Sequence, residues 1–349
     1  MKFGLFFLLE QPPWKTQERV YADALGQAAY AEELGFDAVW LAEHHFSEYG
    51  ICPSMAVLAG ALAQRTRRVQ LGTAVAILPF NHPLRTAEEW AMVDVLSEGR
   101  LDFGVGRGYQ PAEYAGFDLA MDESRERFDE TLAIIKQAWT QERVNFDGKY
   151  FRVRDVPVLP KPVQRPHPPI RIACVSPETF ERVARRGERF LSAPSITPVH
   201  LMKGAYETYA RVWVESGHSP SELEVPALYF THVGDDAGST RRDTERSILW
   251  YFQTLARVIA ESKDPARVPE AYRFYARAKA NLETVTYDFL ANDVVLFGDA
   301  ERVTDRLIQL REALGLTYAI CWMNFGGLAD EAVRGSMRRF AEKVIPRFR

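Results

Sequence analysis

The chain has 349 residues, 47% of them apolar and 26% charged, with a formal net charge of −4. That size suits one large α/β barrel or two ordinary domains, and the composition is that of a globular protein rather than a disordered or fibrous one. The slight acidity argues against nucleic acid or an anionic membrane as the main partner, and no apolar run approaches the roughly 20 residues that span a bilayer. The three cysteines, Cys52, Cys174 and Cys321, have neither paired nor metal-binding spacing, so reduced thiols in a cytoplasmic protein are expected.

Along the chain, the stretch from Met1 to Leu9 superficially looks like a secretory leader. Its apolar run is short, however, and Glu10-Gln11-Pro12-Pro13 follows where a small-residue cleavage site belongs, so a first strand over 2–8 is expected. Further strands are expected at 37–42, 69–75, 101–105, 169–174, 189–193, 226–232 and 317–323. Helical periodicity falls near 17–34, 53–65, 84–97, 123–142, 177–187, 198–216, 238–261 and 328–345. Eight strand–helix units without a composition break predict one α/β domain over 1–349, a (β/α)8 TIM barrel. A doubly wound sheet fits the count less well. Two connections, after strands 4 and 7, exceed a minimal barrel. Residues 143–168 read as an extended, Pro-rich insertion, and about 262–315 as a long lid-like one.

A barrel gathers its chemistry at the C-terminal ends of the strands. The second strand ends there in Glu43-His44-His45-Phe46, two adjacent imidazoles in a chain with seven histidines. Imidazoles exchange protons near neutral pH, so acid–base work is expected of His44 and His45; a loop histidine capping a carbonyl is the plainer alternative. The third strand leads to His82, the fourth to Gly106, Arg107 and Tyr109, and the fifth to Val175 and Ser176. Ser176-Pro177-Glu178-Thr179 is a helix start, and its free N–H groups, the Ser176 and Thr179 hydroxyls and Arg107 sketch a phosphate cradle. Gly104-x-Gly106-x-Gly108 lacks the dinucleotide spacing, and Pro111 is expected to interrupt the start of any following helix, so a tight barrel corner is the better reading. Helix 53–65 is apolar nearly all round, which points to a homodimer interface, or else to cover by the chain's own insertion. Phe6, Tyr109, Trp250 and Met323 are expected near an apolar mouth.

These residues resemble the bacterial luciferase family of flavin-dependent monooxygenases, with the strongest likeness to the luciferase catalytic subunit. The likeness rests on Met1-Lys2-Phe3-Gly4, Gln11-Pro12-Pro13, Gly35-Phe36-Asp37, Trp40-Leu41-x-Glu43-His44-His45-Phe46 and Leu78-Pro79-x-x-His82-Pro83. It continues in Gly99-Arg100-x-x-Phe103-Gly104, Arg107-Gly108, Ser176-x-x-Thr179 and Ala184-x-Arg186-Gly187. The resemblance implies a barrel that binds reduced FMN, supplied by a separate NAD(P)H:flavin reductase, and activates O2 as a C4a-peroxyflavin to oxygenate a small apolar substrate. It implies His44 as the acid–base residue with His45 in support. Glu43, Ala74, Val75, Gly106, Arg107, Val175, Ser176 and Thr179 are implied around the flavin, and His82, Tyr109, Trp250 and Met323 around the substrate. It also implies a non-proline cis peptide at Ala74–Val75. Gly106 replaces a family cysteine, which is expected to make room above the flavin and to argue against light emission. An F420-dependent hydride-transfer enzyme and a non-catalytic flavin-binding protein are the alternatives.

Overall fold

The structure, a computed structural model, describes residues 1–193, 199–260, 282 and 284–349. Each expected strand forms. They are β1 (Lys2–Phe7), β2 (Ala38–Leu41), β3 (Gln70–Thr73), β5 (Leu101–Gly106), β8 (Ile170–Ala173), β9 (Arg189–Leu191), β10 (Pro226–Val233) and β12 (Tyr318–Trp322). Short additions are β4 (Ala76–Ile77), the antiparallel hairpin β6 (Arg143–Asp147) and β7 (Arg152–Pro157), and β11 (Leu296–Gly298). All pairings in the main sheet are parallel, in the order β11-β10-β12-β1-β2-β3-β5-β8-β9, with β4 beside β5. Among the described residues no ladder joins β9 to β10, but the Leu228 N–H donates to Ser192 O at 3.1 Å and closes the ring there. Continuous burial of β1, β2, β5 and β12 is what a parallel sheet under helices on its outer face demands.

The helices are α1 (Gln17–Glu33), α2 (Met55–Arg65), α3 (Pro83–Leu96), α4 (Pro111–Gly116), α5 (Ser124–Thr140), α6 (Pro177–Arg185), α7 (Val199–Glu215), α8 (Ala237–Ala260), α9 (Tyr287–Asp293), α10 (Ala300–Leu314) and α11 (Asp330–Arg339). Among the described residues none is long and apolar enough to cross a membrane. Inside the barrel the Trp40 indole fills the space that Gly4 and Gly72 leave: a Cβ on either would lie 2.7 or 2.2 Å from it. Its Nε1–H donates to the Tyr318 hydroxyl at 2.8 Å. Below it Arg171, buried, forks onto Asp102 at 2.8–2.9 Å and reaches Glu224 at 2.6 Å, which holds the Glu224 carboxyl down at about 2 against its burial.

The two long connections can be followed in part. The 143–168 segment is a hairpin that runs back along α5: Glu130 accepts the N–H groups of Lys149, Tyr150 and Phe151 at 2.7–3.1 Å, and Lys161 bonds the last carbonyls of α5. It is a brace against a helix. Of the 262–315 segment, residues 262–281 and 283 lie outside the described residues. The remainder is not a lid but regular barrel wall. Helix α10 is capped by Asp299, whose carboxylate accepts the Arg302 N–H at 2.9 Å, and ends at Gly315 with φ 67°.

Candidate active site

The β2 strand delivers Glu43, His44 and His45 to the barrel mouth, and all three are buried. The loop behind them turns back at once, because the Ile51 N–H bonds Leu9 O at 3.0 Å and the His44 N–H reaches Cys52 O at 3.4 Å. Two carboxylates divide the imidazoles. Glu43 bonds His45 Nε2 at 3.1 Å and accepts the Ile77 N–H at 3.0 Å, so it ties β2 to β4. Glu113, on α4, meets His44 Nδ1 at 2.8 Å and accepts the His45 N–H at 2.9 Å. The His45 ring is enclosed by Phe46, Phe80 and Phe117 at 4.8–5.8 Å. His44 instead stands edge-on to Tyr49 and Tyr109, at 4.9 and 5.8 Å. Its Nε2 makes no hydrogen bond among the described residues. Each imidazole thus has one ring nitrogen on a glutamate; they differ in surroundings, with His45 packed among phenylalanines and held by its main chain as well, and His44 among tyrosines beside Gln110.

Tyr49 anchors the polar wall. The Tyr109 hydroxyl donates to it at 2.9 Å and the Tyr251 hydroxyl lies at 2.9 Å on its other side; burial among these phenols pushes its pKa well above the ordinary value, so it stays protonated. Sequence reasoning found Tyr109 but missed Tyr49, Tyr251, Gln110 and Glu113. Pro111 held the available signal. It does not interrupt a helix but begins α4 at the first helical position, where proline is favoured, and so brings Glu113 round to the histidines.

The strand-end glycines are explained by close approach. A Cβ on Gly106 would lie 2.4 Å from Val75 Cγ2 and 3.4 Å from the Ala173 Cβ. Glycine at 106 is therefore explained by the close approach of Val75. The Ala74–Val75 peptide is cis. On the next strand end, the Ser176 and Thr179 hydroxyls lie 3.0 Å apart at the start of α6, where Ser176 makes no side-chain cap bond, and Val175 is exposed. Arg107 shares this pole with Arg125, Arg182 and Arg186. Burial and these neighbouring cations, opposed by Asp129, lower the pKa of Arg182. Arg125 is a cation that sequence reasoning missed.

The remaining expected residues scatter. His82 is exposed at the start of α3, with its ring against Phe151 at 5.8 Å, and the structure does not bring it to His44. Met323 is fully buried core. Trp250 is half-buried and meets Trp14 edge-on at 5.9 Å, with the Arg246 guanidinium 3.8 Å over the Trp14 ring. Beside them the β1 and β12 loops interlock: Lys15 donates to Leu328 O at 2.9 Å and the Gly326 N–H to the buried Glu10 carboxylate at 3.1 Å.

The profile of the luciferase-like monooxygenases matches residues 1–317. The chain belongs to that family. It is 31% identical over 357 residues to the alkanal monooxygenase alpha chain of the Kryptophanaron alfredi symbiont, covering 99% of this chain and 98% of the relative. The crystal structure of monooxygenase RslO1 from Streptomyces bottropensis superimposes with a TM-score of 0.87 at 31% identity, over 100% of both chains. Two more distant structures share the fold. The oxygenating constituent of 3,6-diketocamphane monooxygenase from Pseudomonas putida, in complex with FMN, gives a TM-score of 0.82 at 19% identity, over 99% and 98% of the chains. An F420-dependent secondary alcohol dehydrogenase gives 0.76 at 20%, over 100% and 99%. The eight-strand barrel read from the sequence is thus the family's fold.

Proposed function

We propose that this family member is an FMN-dependent monooxygenase that uses reduced flavin and O2 to oxygenate a small organic substrate. The observation that carries the reading is the pairing, at one barrel mouth, of a histidine whose Nε2 makes no hydrogen bond among the described residues and a pole of hydroxyls and arginines. The residues fit FMN: Ser176 and Thr179 offer hydroxyls at the start of α6, and Arg107, Arg125, Arg182 and Arg186 outnumber Asp129 and the first-turn Glu178, which suits an anion. Arg107, Ser176 and Thr179 would hold the phosphate, and Val75 and Gly106 would form the floor under the ring system. Bound reduced flavin supplies the electrons that activate oxygen. His44 holds or moves a proton at Nε2, while the aromatic residues around it exclude water from the chamber. Glu43 and His45 shape the wall rather than take part in proton transfer.

The reduced flavin would come from a separate NAD(P)H:flavin reductase. The monooxygenase names of the relatives at about 30% identity favour FMN over F420, whose enzyme resembles this chain at the level of fold. Val57 on α2 is 75% exposed, and among the described residues nothing beyond the helix's own backbone lies within 4 Å of a Cβ placed on Gly60, so a second copy is proposed to cover this face.

The test combines binding and turnover. Purified protein is titrated with FMN, riboflavin and F420, then supplied with a reductase, NADH and a panel of aldehydes, ketones, terpenes and aromatics, with product mass detection. FMN is expected to bind tightest, and the Ser176→Ala/Thr179→Ala variant to lose about tenfold for FMN and little for riboflavin, in line with the worth of charge-assisted bonds. His44→Ala is expected to keep FMN affinity and lose substrate oxidation. Tight F420 binding alone, or equal turnover by His44→Ala, sinks the reading.

A further inference from the structure

We propose that Glu113 is a positioning residue that accepts a hydrogen bond from the Nδ1–H of His44 and so leaves Nε2 as the basic nitrogen. Glu113 is 1% exposed and lies 69 positions from the histidine, on a helix of six residues. One carboxylate oxygen, Oε1, does two things at once. It lies 2.8 Å from His44 Nδ1 and accepts the main-chain N–H of His45 at 2.9 Å. Ring and backbone of consecutive residues are therefore pinned to one point, which removes the ring's freedom to flip. A carboxylate is an acceptor only, so the proton between it and the imidazole belongs to Nδ1.

Two further features single out this pair. Glu113 Oε2 is buried and has no hydrogen-bond partner among the described residues, and such an atom forfeits its hydration without recompense. A fold that needed only a brace between β2 and α4 would do better with an amide or an apolar side chain of that size. The second feature is Gln110, whose Nε2 stands 3.1 Å from the same Nδ1. That amide could donate only to an unprotonated Nδ1, with the proton moved to Glu113. The two arrangements are mutually exclusive, and the geometry favours the shorter contact to the carboxylate. The role in turnover rests on the monooxygenase reading; the tautomer does not.

The experiment uses the whole protein, labelled with 15N-histidine and free of flavin, at a pH where His44 is neutral. Long-range 1H–15N correlations give the tautomer, with His44 assigned by its absence in His44→Gln. The Nδ1–H form is expected in the wild type and in Glu113→Asp. Glu113→Met keeps the volume and removes the acceptor, and is expected to turn His44 to the Nε2–H form. In the reductase-coupled assay Glu113→Met should lose about 10- to 100-fold in kcat with its FMN affinity held within about twofold, the range seen when a histidine's orienting partner is removed, and Glu113→Asp should recover most of it. An Nε2–H wild type, or a tautomer unmoved by Glu113→Met, overturns the proposal. If Glu113→Met does not fold, the wild-type and Glu113→Asp tautomers decide alone. A correct tautomer in a protein that oxidises nothing leaves Glu113 in place and removes the monooxygenase reading.

Discussion

At the scale of single residues, Glu10 departs sharply from ordinary carboxyl behaviour. Its carboxyl lies in the interlock between the β1 and β12 loops, and burial raises its pKa from 4.5 to about 8 against the smaller pull of two backbone hydrogen bonds and Lys15. Lys15 is itself committed to Asp23 at 2.9 Å, which limits what it can offer Glu10. The native state keeps the Glu10 proton to a higher pH than the unfolded chain does. Below about pH 4.5 both states are protonated and nothing is lost; from there to about pH 8 the unfolded state gains by ionising, and stability falls. A tenfold difference in proton affinity between the two states is worth about 1.4 kcal/mol, so the loss at alkaline pH amounts to a few kcal/mol. Glu10→Gln is expected to gain on the wild type steadily between about pH 5 and about pH 8 in urea unfolding. A difference that stays flat with pH would mean that Glu10 ionises as it does in water. Residue identity was legible where a motif was local, as in Glu43-His44-His45 or Ser176-x-x-Thr179. Glu113 and Tyr49 were not legible, because their meaning lies in a contact with a distant element.

Between elements, β4 and β5 show how a strand end is fitted to its neighbour. Val75 fills the place a side chain on Gly106 would take, so the two positions should behave as one. Gly106→Ala is expected to cost about 1–3 kcal/mol by overpacking, and Val75→Ala to relieve most of it in the double variant. Additive losses in a thermal double-variant cycle would show that the backbone, not Val75, sets the limit. The eight barrel strands were readable because buried parallel strands are short apolar runs bounded by turns. The α10 helix was missed although Asp299 and Gly315 mark both its ends, because the expected lid absorbed it. The β6–β7 hairpin was read as an extended insertion, since its alternation is weak and its partner, α5, is a helix.

At the scale of the whole molecule, an apolar strip lies exposed on α2 and α3. Val57 is joined there by Met92, Val95 and Leu96, which are 51%, 43% and 45% exposed. Scattered apolar residues are ordinary on a surface, but a run of them across two adjacent helices is what a partner covers. Size-exclusion chromatography with light scattering is expected to give a dimer for the wild type and a monomer for Val57→Asp/Val95→Asp. A monomeric wild type refutes the proposed pairing.

The first strand also sets the timetable of synthesis. β1 pairs with β2 on one side and with β12 on the other, Lys2 beside Tyr318. At ordinary elongation rates of about 5–20 residues per second, roughly 15 to 60 s separate the two strands at the ribosome. Through that interval the backbone groups of β1 that pair with β12 have no strand beside them. The nascent chain depends on the speed of its own completion, and on whatever shelters that edge until the last strand arrives.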